Sequence, residues 1–269
     1  MAATDAQALL EELALLAATD PRAPTEHRCG PDPEQVADLL VPDGPGPHRV
    51  VVLLHGGFWR ARYTRTLMAA MALDLADRGW ASWNVEYRRV GNGGGVPETL
   101  DDVRAAIGAV REVVGRDWAG GSPASPDVDR LVLIGHSAGG HLALCAAGEA
   151  GVGAVVSLAG VCDLEGAVRD HLGDGAADEL LLAGSAERAQ ALALADPLQL
   201  VPAGPPVLLV HGDADTRVPV SQSRDYARAA AAAGDERCEL LELAGVDHFA
   251  LIDPRTREWR LVADRLEAL

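Results

Sequence analysis

The sequence predicts an α/β protein with a mostly parallel central sheet and helices on both faces. Three observations carry this reading. Apolar runs of strand length alternate with segments of helical periodicity. The runs are continuously apolar, as strands buried on both faces must be. At 269 residues and 48% hydrophobic content, the chain suits one large domain with a sizeable core.

Taken in order, Leu9, Leu13 and Leu16 recur at helical spacing, so the chain opens with an amphipathic helix over residues 5–18. That helix is expected to cover a sheet edge, the alternative being a partner subunit. Pro21, Pro24, Pro31 and Pro33 interrupt regular structure, and a first strand is placed at 34–41 before a Pro/Gly-rich turn. Buried strands are then expected at 49–55, 80–88, 131–136, 154–159, 206–211 and 238–243. Helices are expected at 65–78, 98–115, 138–150, 221–233 and 255–268. Residues 163–196 break the alternation with an Ala/Leu-rich helical stretch that no strand claims, and a segment of that length is expected to lie over a site as a small helical cap.

Composition excludes several chemistries. Lysine is absent and all 23 basic residues are arginine, so Schiff-base chemistry, a P-loop lysine and a Ser–Lys dyad are ruled out. With 40 acidic residues the net charge is −17, which repels nucleic acid and anionic membranes and makes neutral or cationic small molecules the easier guests. Cys29, Cys145, Cys162 and Cys238 have no ligand or disulfide spacing and read as small buried hydrophobes, so no metal is expected. The first residues lack the basic start of a signal peptide, and no uncharged apolar run is long enough to span a membrane. The expectation is a cytoplasmic protein. A homodimer is left open.

In an open parallel sheet, ligands bind at the carboxyl ends of the strands. After the strand ending at 136 stands Gly135-His136-Ser137-Ala138-Gly139-Gly140, a G-x-S-x-G pattern in strand–turn–helix context. A nucleophile on so sharp a turn leaves no room for side chains two residues away on either side, whereas a plain N-cap serine would need no such glycines. After the strand ending at 55 stands His55-Gly56-Gly57-Phe58-Trp59. The amides of Gly57 and Phe58, with that of Ala138, are candidate donors to a developing oxyanion. The aromatic pair Phe58 and Trp59 suits a flat substrate group, and Trp59 is therefore a candidate substrate contact, although either ring also fits a core. His55 is expected to order this loop by a hydrogen bond. After the strand ending at 211 come Asp213 and Asp215, which compete for the buried acid of a triad, with Asp163 a more distant candidate. If the order is nucleophile, acid, base, His248 is the one histidine beyond both aspartates. His171, within the expected cap, is a candidate substrate contact.

These segments together resemble the α/β-hydrolase superfamily from about residue 34 to the C-terminus. The His55–Trp59 loop, with Val85-Glu86-Tyr87-Arg88, is similar to the arylformamidase (kynurenine formamidase) group and to feruloyl-esterase-like and hormone-sensitive-lipase-like esterases. The resemblance implies Ser137 as nucleophile, Asp215 as acid, His248 as base, and an oxyanion hole from the loop amides and Ala138. Phe58 departs from the glycine that lipase-like relatives often carry there. The implied protein is a serine hydrolase with the α/β-hydrolase fold, acting on a small-molecule ester or aryl formamide without a cofactor. The competing expectations are an idle receptor or scaffold of the same fold and a short-peptide peptidase.

Overall fold

The computed structural model describes residues 3–117 and 126–269. Its elements are α1 (Ala3–Thr19), β1 (Thr25–Arg28), β2 (Val36–Leu40), β3 (His48–Leu54), α2 (Ala69–Asp77, entered by a 3₁₀ turn), β4 (Ala81–Val85), α3 (Glu98–Asp117) and β5 (Pro126–His136). They continue with α4 (Ala138–Cys145), β6 (Val152–Leu158), α5 (Leu164–Arg169), α6 (Leu172–Ala183), α7 (Arg188–Ala195), β7 (Val207–Gly212), α8 (Ser221–Ala232), β8 (Cys238–Leu243) and α9 (Arg257–Leu266). The eight strands form one sheet in the order β1-β2-β4-β3-β5-β6-β7-β8. β1 and β2 run antiparallel to their neighbours, and every pairing from β4 to β8 is parallel.

The expected strands and helices are all present, with ends shifted by a few residues. One element was not foreseen. The proline-rich segment holds a strand, β1, at the sheet edge: its four residues lie between Pro24 and Pro31, contain no proline, and all pair with β2. The four cysteines are all free, Cys145 and Cys162 buried and Cys29 and Cys238 half-buried.

Strand alternation sorts the apolar residues into two cores. Val50, Val52, Leu54, Leu131, Leu133, Val155, Val207 and Leu209 point to one face, where α3, α4 and α8 pack. Val51, Leu53, Val132, Ile134, Val156, Leu208 and Val210 point to the other, against α2 and α9. Residues 163–196 fold as α5, α6 and α7, which bury Leu164, Ala167, Leu180, Leu181 and Ala195 in the first core.

The second core is closed by Trp259 of α9, which is fully buried and whose indole N–H donates to Asp74 Oδ2 at 2.7 Å. Trp259→Ala is expected to lower stability by about 3–5 kcal/mol, as for other large-to-small changes in a packed core. Trp259→Phe, which removes chiefly the hydrogen bond, should cost about 1 kcal/mol. Urea unfolding of the whole chain checks both.

Candidate active site

The parallel register brings the carboxyl ends of β3, β5, β7 and β8 to one edge of the sheet, and four loops meet there. At the end of β5 the chain turns at once into α4. Ser137 stands on that turn with φ 57° and ψ −117°, a conformation that L residues rarely adopt. Its amide is fixed to Leu158 O at 2.8 Å. The turn closes because its flanks are bare: a Cβ on Gly135 would lie 2.0 Å from Gly139 O, and one on Gly139 1.9 Å from Leu54 O.

The loop after β3 is equally constrained. Gly57, Phe58 and Trp59 all take positive φ (113°, 52° and 54°), and a Cβ on Gly57 would meet Tyr63 at 2.5 Å. Beneath the loop, the ring nitrogens of His55 face Gly56 O at 2.7 Å and Glu86 Oε1 at 2.9 Å. Tyr87 stacks on the His55 ring at 4.4 Å and donates its hydroxyl to His55 O at 2.6 Å. Glu86 also ion-pairs with buried Arg89 and accepts from the Arg65 amide at 3.0 Å. His55 therefore orders the loop as expected. The amides of Gly57, Phe58 and Ala138 are spent on no hydrogen bond among the described residues.

After β7, Asp215 turns its carboxylate into the protein. Oδ1 accepts from the amides of Arg217 at 2.7 Å and Val218 at 2.9 Å, and Oδ2 accepts from His248 Nδ1 at 2.6 Å. His211 Nε2 approaches the same Oδ2 at 3.3 Å while its Nδ1 accepts from Ser223 Oγ at 2.7 Å. Burial by itself would raise this carboxyl, but the bonds from His211, His248 and Val218 outweigh it and hold Asp215 well below the usual carboxylate range. Asp213 instead caps the loop after β8, accepting from the Gly245 amide at 2.6 Å. Asp163 caps α5, accepting from the Gly166 amide at 2.7 Å.

His248 has a second brace. The buried ring of His136 lies 4.5 Å from the His248 ring, and its Nε2–H donates to His248 O at 2.9 Å. Burial pushes the His136 imidazole down to about 3, so it is neutral at working pH.

Ser137, His136 and His248 line one cavity of about 620 Å³ with Gly57 and Phe58. Its other walls differ from expectation. The helix over it is α1, through Gln7, Leu10, Glu11 and Ala14, so the opening helix borders the site instead of only covering a sheet edge. No residue of 163–196 lines the cavity; that segment packs beside it, with Gly173 against the Phe58 ring. The two candidate substrate contacts fall outside as well. The Trp59 ring lies in the core, where it is 1% exposed and its indole N–H donates to His141 Nδ1 at 3.2 Å. His171 sits on an exposed left-handed turn before α6. The sequence alone does not single out His211, the His136 brace, the α1 wall or the cavity residues Arg62 and Arg217. His211 and Arg217 flank the acid in the sequence itself, which was the available signal; the α1 contact left none. No metal-holding group of three or more His, Cys, Asp or Glu stands together among the described residues.

Two expectations test this geometry. Relieving the backbone at position 137 should stabilise the fold, so Ser137→Gly is expected to exceed Ser137→Ala by about 1 kcal/mol in urea unfolding. Asp215 has a lowered pKa in the folded state, so its contribution is complete above the unfolded-state value of about 3.9 and is lost as pH falls toward the folded-state value. The stability gap between wild type and Asp215→Asn should therefore be widest near neutrality and narrow below about pH 4, as urea titrations across pH would record.

Comparisons with known proteins agree with this architecture. Esterase LipC of Mycobacterium tuberculosis is 29% identical over 249 residues, covering 83% of this chain and 59% of that protein. A probable isoprenylcysteine alpha-carbonyl methylesterase of Oryza sativa subsp. japonica is 28% identical over 243 residues, covering 81% and 56%. The chain thus spans less than two thirds of these relatives. Among solved structures, esterase B from Lactobacillus rhamnosis superposes with TM-score 0.76 at 20% identity, over 98% of this chain and 92% of that one. A Pyrobaculum calidifontis esterase gives TM-score 0.74 at 20% identity, over 100% and 92%. At such identities these likenesses establish the α/β-hydrolase fold. The BD-FAE family model matches residues 37–229, well over half of the sequence, and the chain belongs to that family of α/β-hydrolases.

Proposed function

We propose that the protein is a serine hydrolase that cleaves a small-molecule carboxylic ester through an acyl-enzyme intermediate. The observation that carries this reading is the 2.6 Å bond from His248 Nδ1–H to the ionised Asp215 carboxylate. It fixes the tautomer that leaves Nε2 free to accept a proton, in the cavity that Ser137 lines. His248 removes the proton from Ser137 as Oγ bonds to the carbonyl carbon, and the carbonyl π pair moves onto oxygen. The free amides of Gly57, Phe58 and Ala138 bind that oxyanion. When the tetrahedral intermediate collapses, the C–O bond to the leaving group breaks and His248 donates its proton to the departing alcohol. Water then enters: His248 takes its proton, its oxygen bonds to the acyl carbon, and Ser137 leaves with the proton returned.

The relatives named above are esterases, which favours an ester over an aryl formamide. A further structure of esterase B, in a tributyrin-phosphonate-inhibited form, superposes with TM-score 0.74 at 21% identity. It supports the same choice.

A fluorophosphonate probe should label the wild type and leave Ser137→Ala unlabelled. Asp215→Asn and His248→Ala should each lower kcat on a short-chain nitrophenyl ester by about a thousandfold or more while the fold persists. Absence of labelling in both proteins would support a receptor or scaffold. In a paired assay, kcat/KM for the nitrophenyl ester should exceed that for N-formylkynurenine, and the reverse order would make the protein a formamidase.

A further inference from the structure

Arginine is the sole basic side chain besides histidine in this chain, and it is outnumbered by carboxylates, 23 to 40. Most arginines accordingly engage one: Arg60 reaches Glu179 at 2.8 Å, Arg65 reaches Asp38 at 2.7 Å, and Arg88 reaches Asp102 at 2.6 Å. Two do not. The side chains of Arg62 and Arg217 have no ion pair or hydrogen bond among the described residues, and both line the cavity that holds Ser137 and His248.

Each guanidinium lies against an aromatic wall of that cavity. The Arg62 guanidinium carbon is 4.9 Å from the centre of the Tyr63 ring, and that of Arg217 is 6.0 Å from the centre of the Phe249 ring. Phe249 in turn meets the His248 ring edge-on at 5.1 Å, which places Arg217 beside the proposed base. Stacking occupies the face of a guanidinium and leaves its N–H edge available for a planar anion. Asp215 is two residues from Arg217 but spends its oxygens on backbone amides and imidazoles, so it leaves this charge uncompensated. One acidic side chain, Glu11, lines the cavity from α1, where it accepts from Gln7 Nε2 at 2.9 Å and pairs with neither arginine.

We propose that the substrate is an anionic ester: a small molecule that carries a carboxylate on its leaving group or its acyl chain, held by Arg62 and Arg217. This rests on the hydrolase reading above and narrows its substrate class. It also reverses the expectation from net charge. A chain at −17 repels anions at a distance, but that field is screened within about 10 Å at ordinary salt, whereas two unpaired guanidinium groups act at contact. A cavity of about 620 Å³ admits such a small molecule.

Two matched ester pairs test the proposal. Carboxylate on the leaving group is probed with 4-acetoxybenzoate against methyl 4-acetoxybenzoate, and carboxylate on the acyl chain with monomethyl glutarate against dimethyl glutarate. Each rate is divided by that of uncatalysed hydrolysis. In at least one pair, wild type should favour the anionic ester in kcat/KM. Arg62→Gln/Arg217→Gln should lower the anionic-to-neutral ratio of that pair by about tenfold or more, acting mainly through KM. The charge-retaining variant Arg62→Lys/Arg217→Lys should recover part of that ratio, which a merely structural defect would not allow. No anionic preference in either pair, or an equal loss on both members of a pair, overturns the proposal. Failure of wild type to hydrolyse any of the four esters would refute the hydrolase reading instead. Calorimetry with benzoate decides the anion site independently: binding to wild type that weakens in the Gln double variant supports it, and no binding or equal binding overturns it.

Discussion

The close approach of α4 to the ends of β3 and β5 is the constraint on which the site depends. The first turn of that helix lies so near the strands that a methyl group on Gly139 would sit 1.9 Å from the Leu54 carbonyl oxygen. Helix and sheet can meet there only through bare backbone. The same closeness leaves Ser137 no relaxed conformation, so the chain holds it at φ 57° and presents it at the tip of a turn. A strained residue persists when its surroundings over-determine it. Here they include a strand bond to Leu158, a buried helix and a neighbouring loop that also runs through positive φ.

Electrostatics around the proposed base follow a similar logic of redundancy. An imidazole in a loop is free to rotate and to choose either tautomer. His248 is denied both freedoms, since Asp215 accepts a hydrogen bond from its Nδ1–H and His136 grips its carbonyl oxygen. Asp215 is itself braced by two backbone amides and approached by a second imidazole, so its charge is stabilised without exposure to water. His136 contributes from the residue before Ser137. The elbow and the base loop are therefore tied by one neutral ring, and displacement of either would be felt by the other.

The cavity walls come from places that chain order does not suggest. Helix α1, far in sequence from the strand ends, closes one side, while the helices of 163–196 pack into the core beside the site. The local charge also runs against the global one. The whole molecule is strongly acidic, yet two arginines without carboxylate partners face the cavity from segments that each follow a candidate catalytic loop.

The sheet, its helices and the identity of Ser137, Asp215 and His248 as candidates were legible in the amino-acid order because they rest on local rules: apolar runs, glycine spacing, and chain order along parallel strands. The choice of Asp215 over Asp213 needed the resemblance as well, since both follow β7 and both carry the same group. Tertiary structure decided what local rules do not reach. Trp59 leaves the site for the core, where its indole N–H meets the buried His141 ring, while the neighbouring Phe58 lines the cavity. Strand β1 forms between prolines because Thr25–Arg28 holds none and β2 offers it an edge to pair with. Which surface α1 covers, and which arginines remain without a carboxylate, depend on distances between segments far apart in the chain, and periodicity fixes the face of a helix without fixing the place where that face docks.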